Sequence, residues 1–208
     1  MDEARRFLRY VLPGLVILLQ IVFILFLNGD LEQLNHYTDF GTAVIAFLTS
    51  GIIGFLFSNL YYIIHWEFYL PSKALSKLDF IRVIQENKEL FKDHQENEPR
   101  SQREAWPILN VFFTMNYGEK LQYFERKTES ISNILAGIGT TTVIIICGLF
   151  VGSFFLDNLK AIIIYSLCNI LIIGILLWNY QLAANILQNL YLRAIEWIKN
   201  HPKENKGN

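Results

Sequence analysis

Four long stretches of the chain are apolar and contain no Asp, Glu, Lys or Arg. They cover residues 10–27, 41–64, 134–156 and 161–178, and we number them as spans one to four. A helix needs about 20 mostly apolar residues to cross a bilayer, whereas the helices of a soluble bundle carry charged residues at helical spacing along one face. The pattern therefore predicts an all-α, polytopic integral membrane protein with four transmembrane helices.

The segments that connect the spans divide the chain into four parts. The link between spans one and two and the link between spans three and four are short, so each pair is expected to form an antiparallel hairpin. The predicted parts are a first transmembrane hairpin (1–66), a helical cytoplasmic insert (67–131), a second transmembrane hairpin (132–178), and a cytoplasmic helical extension and tail (179–208).

The insert contains amphipathic segments with signals for the start of a helix. Ser76 with Asp79, and Ser101 with Glu104, fit the capping box that begins many helices. The apolar residues on one face of the first segment are Phe80, Val83, Ile84, Leu90 and Phe91. This face predicts that the insert packs either against its own copies or against the extension of the fourth helix.

The fourth helix is expected to be much longer than a membrane span. No helix-breaking residue follows Trp178 until Pro202, so the helix should continue into the cytosol and reach roughly 60 Å at about 1.5 Å per residue. The extension carries one apolar stripe, formed by Leu182, Ile186, Leu190 and Ala194. The stripe predicts a face that packs within the protomer or, alternatively, a seam for self-association.

The distribution of Lys and Arg predicts the orientation of the chain. The N-terminal segment holds three of these residues, the link between spans one and two none, the insert ten, the next link one and the C-terminal part four. Because cytoplasmic segments carry the excess of Lys and Arg, both termini and the insert are predicted to be cytoplasmic.

Cys147 and Cys168 lie inside spans, and the sequence contains no Asn-x-Ser/Thr site. The predicted location is the plasma (inner) membrane of a prokaryote.

Small residues recur at every fourth position of span two. They are Thr42, Ala46, Ser50, Gly54 and Ser58. Span three offers a second surface of small residues, formed by Gly148 and Gly152. Helices in lipid gain little from apolar contact alone, so small residues that allow close backbone approach are typical of helix–helix interfaces. We expect a helix-packing seam along this line, with span two against span three or span one of the same protomer.

The spans also contain neutral polar residues and, at their ends, aromatic residues. Gln20, Asn59, Thr141, Ser166 and Asn169 are expected to form hydrogen bonds between helices or, in an oligomer, to line a polar path. Aromatic side chains settle at the membrane–water boundary. The predicted interface anchors are Tyr61, Tyr62, Trp66 and Trp178.

No pattern in the sequence indicates catalysis. The four His residues lack the spacing of metal ligands, and no hydrolase, zinc-protease, redox or phosphate-loop motif occurs. The sequence therefore predicts a protein that is not an enzyme and that uses no cofactor or metal. The insert holds ten basic and eleven acidic residues, so direct binding to nucleic acid is not expected.

Three functions fit these observations. The first is a homo-oligomeric, pore-like or membrane-perturbing effector that is controlled through its cytoplasmic helices. The second is a non-conducting membrane anchor or accessory subunit that recruits a soluble protein partner, and the third is a small transporter subunit. The layout of four spans around a compact cytoplasmic helical insert resembles the small accessory or effector membrane proteins of prokaryotic antiviral systems, including CRISPR-associated ones. The resemblance lies in the architecture alone, and it implies a role in antiviral defence.

Overall fold

A computed structural model describes residues 7–30, 40–68, 79–92, 99–117 and 122–200 of the chain. Regular structure in these residues is entirely helical, and four of the helices are long and apolar enough to cross a membrane. The prediction of an all-α protein with four apolar helices is confirmed at this level. In chain order, the helices are α1 (Leu12–Asn28), α2 (Phe40–Phe68), α3 (Phe80–Gln85), α4 (Lys88–Phe91), α5 (Gln102–Tyr117), α6 (Gln122–Gly152) and α7 (Leu159–Asn200).

Short irregular turns flank the long helices. A π-helical turn, Phe7–Val11, precedes α1, and a 3-10 turn, Ser153–Phe155, follows α6. Gly29 ends α1 with a φ of 83°, a left-handed conformation in which its lack of a side chain avoids strain. Helices α6 and α7 are each much longer than a helix needs to be to cross a membrane. Helix α6 begins well before span three, and α7 continues well beyond span four.

The long helices form a bundle in which α6 contacts each of α1, α2 and α7. Helices α1 and α6 run parallel, since Arg9 hydrogen-bonds to Asn133 at one end (3.4 Å) and Asn28 donates to the carbonyl oxygen of Phe155 at the other (2.8 Å). The end of α1 and the turn after α6 therefore lie at the same end of the bundle. The insert lies at the opposite end.

A hydrophobic core, which we call the insert core, packs the insert onto α2, α6 and α7. Its buried residues are Phe80, Val83, Ile84, Phe91, Ala105, Leu109, Phe112 and Phe113 from the insert, Tyr61 from α2, Leu135 and Ala136 from α6, and Tyr180, Ala184, Leu187, Tyr191, Ala194, Ile195 and Ile198 from α7. Of the two arrangements that the sequence left open, the structure shows the insert against the extension of the fourth helix in the same chain.

The face of α7 that enters the insert core shares only part of the predicted stripe. Ala194 is buried in the insert core, whereas Leu182 and Ile186 are 48% and 49% exposed, so the expectation of packing within the protomer is wrong for these two residues. Ala184, Leu187 and Tyr191 lie on the buried face instead. Apolar residues lie on both the buried and the exposed face of this part of α7, and the insert covers the face that carries Tyr191.

Side-chain caps fix the starts of two helices of the insert, α3 and α5. Asp79 is the N-cap of α3 and accepts a hydrogen bond from the backbone N–H of Arg82 at 3.0 Å, whereas Ser76 lies outside the described residues. One half of the predicted capping box of α5 is present, because Ser101 Oγ accepts from the backbone N–H of Glu104 at 3.3 Å. The carboxylate of Glu104 accepts from the backbone N–H of Arg100 at 2.7 Å and not from that of Ser101.

One buried amide joins the starts of α3 and α5. The Oε1 atom of Gln102 accepts from the backbone N–H groups of Phe80 (2.8 Å) and Ile81 (3.3 Å). Its Nε2 atom donates to Asp79 Oδ1 at 2.7 Å. These bonds satisfy donors at the start of α3 that have no partner within the helix, and they fix the angle between the two short elements of the insert.

Candidate functional site

The small residues of span two lie on the buried face of α2. Ser50, Gly54 and Ser58 are buried and Ala46 is half-buried. Thr42 belongs to α2, but its side chain lies outside the described part of the chain. The large apolar residues between these positions are exposed on the outer surface of the bundle.

The partner of this face is α1. A Cβ atom on Gly54 would overlap the carbonyl oxygen of Tyr10, and a Cβ atom on Gly14 would overlap the carbonyl oxygen of Ser50. From Tyr10 to Gly14 the residue number rises, while that of the contacted residue falls from Gly54 to Ser50, so α1 and α2 are antiparallel. The structure thus places the small residues of α2 against span one, which is one of the two partners named from the sequence.

The glycine pair of span three lies in different helix contacts. Gly148 faces the side chain of Gln20 on α1, and Gly152 leaves room for the ring of Tyr165 on α7 and for Ile24 on α1. These glycines receive α1 and α7 rather than α2. The predicted seam residues are therefore divided between two interfaces of the bundle.

Polar side chains of α1 and α7 meet a backbone carbonyl of α6 inside the bundle. Gln20 Nε2 on α1 donates to Asn169 Oδ1 on α7 at 2.7 Å, and Asn169 Nδ2 donates to the carbonyl oxygen of Tyr165 at 2.9 Å. The hydroxyl of Tyr165 lies 2.5 Å from Gln20 Oε1 and 2.9 Å from the carbonyl oxygen of Gly148 on α6. This network ties α1, α6 and α7 together within one chain.

The other predicted polar positions do not join this network. Asn59 is exposed on the outer face of α2, and its amide makes no hydrogen bond with a described residue. Thr141 and Ser166 are half-buried. Tyr165 was not among the polar residues predicted to bond between helices. It lies four residues before Asn169, a spacing that places both side chains on one face of a helix.

The four predicted interface anchors occupy different environments. Trp178 is 66% exposed, and Tyr62 and Trp66 are half-buried near the end of α2. Tyr61 is only 4% exposed and faces the interior instead of the surrounding medium. Its hydroxyl lies 3.1 Å from that of Tyr180, and its ring fills a space beside α6 where Gly139 has no side chain.

A cluster of aromatic groups marks the junction between the bundle and the insert core. His65 stacks on Tyr61 with ring centroids 5.6 Å apart, and its Nδ1 lies 3.4 Å from the hydroxyl of Tyr180. Trp66 contacts Trp106 of α5 with ring centroids 5.9 Å apart. The end of α2 is thereby packed against both α5 and α7.

Two cavities lie beside this cluster. The first, which we call the apolar cavity, has a volume of about 460 Å³, within the range of small-molecule sites. Its walls come from α2, α3, α5, α6 and α7 and include Ile63, Trp66, Arg103, Trp106, Leu135 and Leu187. Among the described residues of this lining, Arg103 is the one with a permanently charged side chain.

The second cavity, the polar cavity, has a volume of about 340 Å³ and includes Arg9, Asn110, Glu125 and Glu129 in its walls. The Arg9 guanidinium lies over the ring of Tyr62, 4.7 Å from its centroid, and the Nε atom of Arg9 is buried with no hydrogen-bond partner among the described residues. Charges of both signs thus surround this space.

The two cavities share walls, since Tyr62, Trp106 and Ser132 line both. They flank the point where the insert core joins the bundle. Sequence reasoning missed this site because its residues come from five separate elements. The local signal that was present is the aromatic cluster of span two, of which Trp66 is the member that reaches α5.

The described residues offer no group of three or more His, Cys, Asp or Glu side chains that is placed to hold a metal ion. His36, His94 and His201 lie outside the described residues. The aromatic walls, the arginine side chains and the hydrogen-bonding groups of the junction are suited to binding a ligand. Comparisons of the chain with protein-family models, with curated proteins and with solved structures found no match.

Proposed function

We propose that the protein is a non-enzymatic, homo-oligomeric membrane effector, pore-like or membrane-perturbing, that is controlled through its insert core. The observation that carries this proposal is the continuity of α6 and α7. Each helix contributes residues both to the apolar bundle and to the insert core. A ligand or protein that changes the packing of the insert core would therefore move two of the four spans directly.

The proposed orientation places the N-terminus, the insert and the C-terminus in the cytoplasm of a prokaryotic cell, at its plasma membrane. The Lys and Arg distribution supports this orientation. The geometry is compatible with it, because Arg9 and the insert core lie at one end of the bundle and the turn after α6 lies at the other. A role in antiviral defence belongs to the proposal through the resemblance in architecture.

Self-association is supported by groups left on the outer surface. Asn59 lies on an exposed face of α2 together with Ile52, Leu56 and Ile63. An amide in contact with hydrocarbon is unfavourable unless it forms a hydrogen bond, and a second protomer supplies such a bond. Leu182 and Ile186 form another apolar surface on α7, beyond span four, that a neighbouring copy would cover.

The test is the passage of ions through liposomes that contain the full-length protein, combined with the mass of the complex in nanodiscs. We expect an oligomer and a measurable ion flux. Asn59→Leu should shift the complex toward the monomer and reduce the flux. Asn179→Leu is the matched control, because Asn179 is also exposed but bonds to the carbonyl oxygen of Ile175 in its own helix. A monomer that conducts nothing would contradict the proposal.

A second candidate function is a non-conducting anchor that recruits a soluble protein through the insert. The specific observation in its favour is the bonding of Gln20, Tyr165 and Asn169 to one another inside one chain. These groups are then not available to line a path for ions. Retention of a soluble protein by the silent full-length membrane protein, with loss on changes to exposed insert residues, would favour the anchor over the effector.

A further inference from the structure

We propose that one acyl chain of a bilayer lipid enters the apolar cavity from the outer surface of α2 and occupies it. The ligand is the hydrocarbon chain, and the headgroup stays outside the cavity. This binding rests on the membrane location that belongs to the proposed function. It requires neither conduction nor self-association.

The walls of the apolar cavity are mostly aromatic and aliphatic. The rings of Trp66 and Trp106 lie with centroids 5.9 Å apart, and Phe80, Leu135 and Leu187 add apolar surface from α3, α6 and α7. Atoms that line an unfilled space lose dispersion contacts on one side. An apolar cavity holds water poorly and takes up apolar molecules instead. The composition of the walls therefore favours a hydrocarbon ligand over water.

Three polar side chains of the lining already have partners within the protein. The hydroxyl of Tyr61 lies 3.1 Å from that of Tyr180, and His65 Nδ1 lies 3.4 Å from the same Tyr180 hydroxyl. Arg103 also has an interaction partner in the chain, and we assign it no role in binding. A hydrocarbon chain leaves these interactions in place, whereas a polar ligand would compete with them for the same groups.

The location of the cavity makes the bilayer the source of the chain. Ile63 is 56% exposed on the outer surface of α2 and also lines the cavity, so the cavity borders the surface that would face lipid. A chain that passes from the bilayer into the cavity exposes no hydrocarbon to water, so its entry carries no hydrophobic cost. The volume of about 460 Å³ holds part of one lipid, and the rest of that lipid stays in the bilayer.

The experiment measures tryptophan fluorescence of the full-length protein in phosphatidylcholine liposomes whose acyl chains carry bromine close to the headgroup. Bromine quenches tryptophan on contact, and liposomes of dioleoyl phosphatidylcholine are the reference. Three single-tryptophan variants keep Trp106, Trp178 or Trp197 and carry Phe at the other three Trp positions.

The three variants report on different environments. Trp178 is 66% exposed on the bundle and reports on contact with the bilayer. Trp106 and Trp197 both pack against the insert core, but only Trp106 lines the apolar cavity. We expect bromine to lower the emission of Trp106 and Trp178 and to leave that of Trp197 unchanged.

The outcomes separate the lipid site from the membrane location. Quenching of Trp178 without quenching of Trp106 would overturn the proposal and leave the membrane location in place. Absence of quenching at Trp178 as well would overturn the membrane location, and the proposal with it. Equal quenching of Trp106 and Trp197 would overturn the assignment to the cavity, because lipid would then reach the insert core at large.

A pair of variants in α6 tests whether the chain reaches Trp106 through the cavity. In the variant that keeps Trp106, Ser132→Phe places a ring in the lining and should reduce quenching, whereas Ile134→Phe, on the exposed face of the same helix, should not. Thermal unfolding checks that both variants are folded. Quenching that is unchanged in a folded Ser132→Phe variant would overturn the proposal, and if that variant does not fold, the comparison of Trp106 with Trp197 still decides.

Discussion

At Gly54 the backbones of α1 and α2 approach so closely that a side chain of any size would overlap the carbonyl oxygen of Tyr10. The neighbour is backbone and cannot rotate away, so the helices must separate to admit a methyl group. In lipid, close packing and weak hydrogen bonds hold helices together, and separation at this point removes both.

We predict that Gly54→Ala destabilises the protein by about 1–3 kcal/mol, the usual cost of inserting volume into a packed interface, and that Gly54→Leu disrupts assembly or expression. Thermal unfolding of the purified protein in detergent measures the effect. Gly174→Ala is the matched control, because a Cβ atom there meets open space and the change favours helix by up to about 1 kcal/mol. Phe55→Leu, on the exposed side of α2, should also be tolerated; equal loss in all variants would refute the contact.

The bonds of Gln20 lead to a second prediction at the residue scale. Gln20→Met keeps the length of the side chain but removes the bond to Asn169 and the contact with the hydroxyl of Tyr165. The expected loss of stability is about 0.6–2 kcal/mol. A double-mutant cycle with Asn169→Leu should show strong non-additivity, since the two side chains share a bond. Additive effects would mean that they act independently.

At the scale of a single element, α3 is too short to be stable by itself. It spans Phe80–Gln85, far below the length at which isolated helices persist in water. Its first turn is held by Asp79 and by the buried amide of Gln102. The start of this helix therefore depends on α5, which lies more than fifteen residues further along the chain.

We predict that Gln102→Leu destabilises the protein by about 1–3 kcal/mol, because the backbone N–H groups of Phe80 and Ile81 lose their acceptor while buried. Hydrogen exchange should accelerate in α3 more than in α6. Gln85→Leu makes the same chemical change at an exposed position of α3 and should have little effect. Unchanged exchange in α3 of the Gln102 variant would show that other contacts fix its start.

The elements also show what the sequence can and cannot specify. The apolar windows predicted four long apolar helices, because the requirement for about 20 such residues is strict. The buried face of α2 was readable, since Ser50 and Gly54 are small where their neighbours are large. The buried face of α7 could not be predicted from the sequence, because Leu182 and Tyr191 are both acceptable in a core and only the shape of the insert decides which of them is buried. The junction site could not be predicted for the same reason: Arg103 and Trp66 line one cavity only because α5 packs on α2.

At the scale of the whole molecule, the bundle and the insert core are packed together through shared helices and are not two domains joined by a linker. Helices α6 and α7 pass from one to the other without a break, and α2 ends against Trp106 of α5. The predicted boundary at residue 131 falls inside α6. A change in the packing of the insert core would therefore act directly on the long helices of the bundle.

This unity predicts that the insert does not fold by itself. Tyr191 is 1% exposed and contacts Phe80, Phe113 and Phe124, so a fragment of residues 67–131 would expose the aromatic surface that α7 covers. Such a small core is marginal even when complete. We expect that fragment to lack a cooperative thermal transition by circular dichroism, and fusion of residues 179–200 through a flexible linker to restore one. Replacing Tyr191 by Ala in the fusion should abolish the transition, while Leu192→Ala, on the exposed side, should not. A cooperative transition in the isolated insert would show that it is an independent domain, and control through α7 would then lose its structural basis.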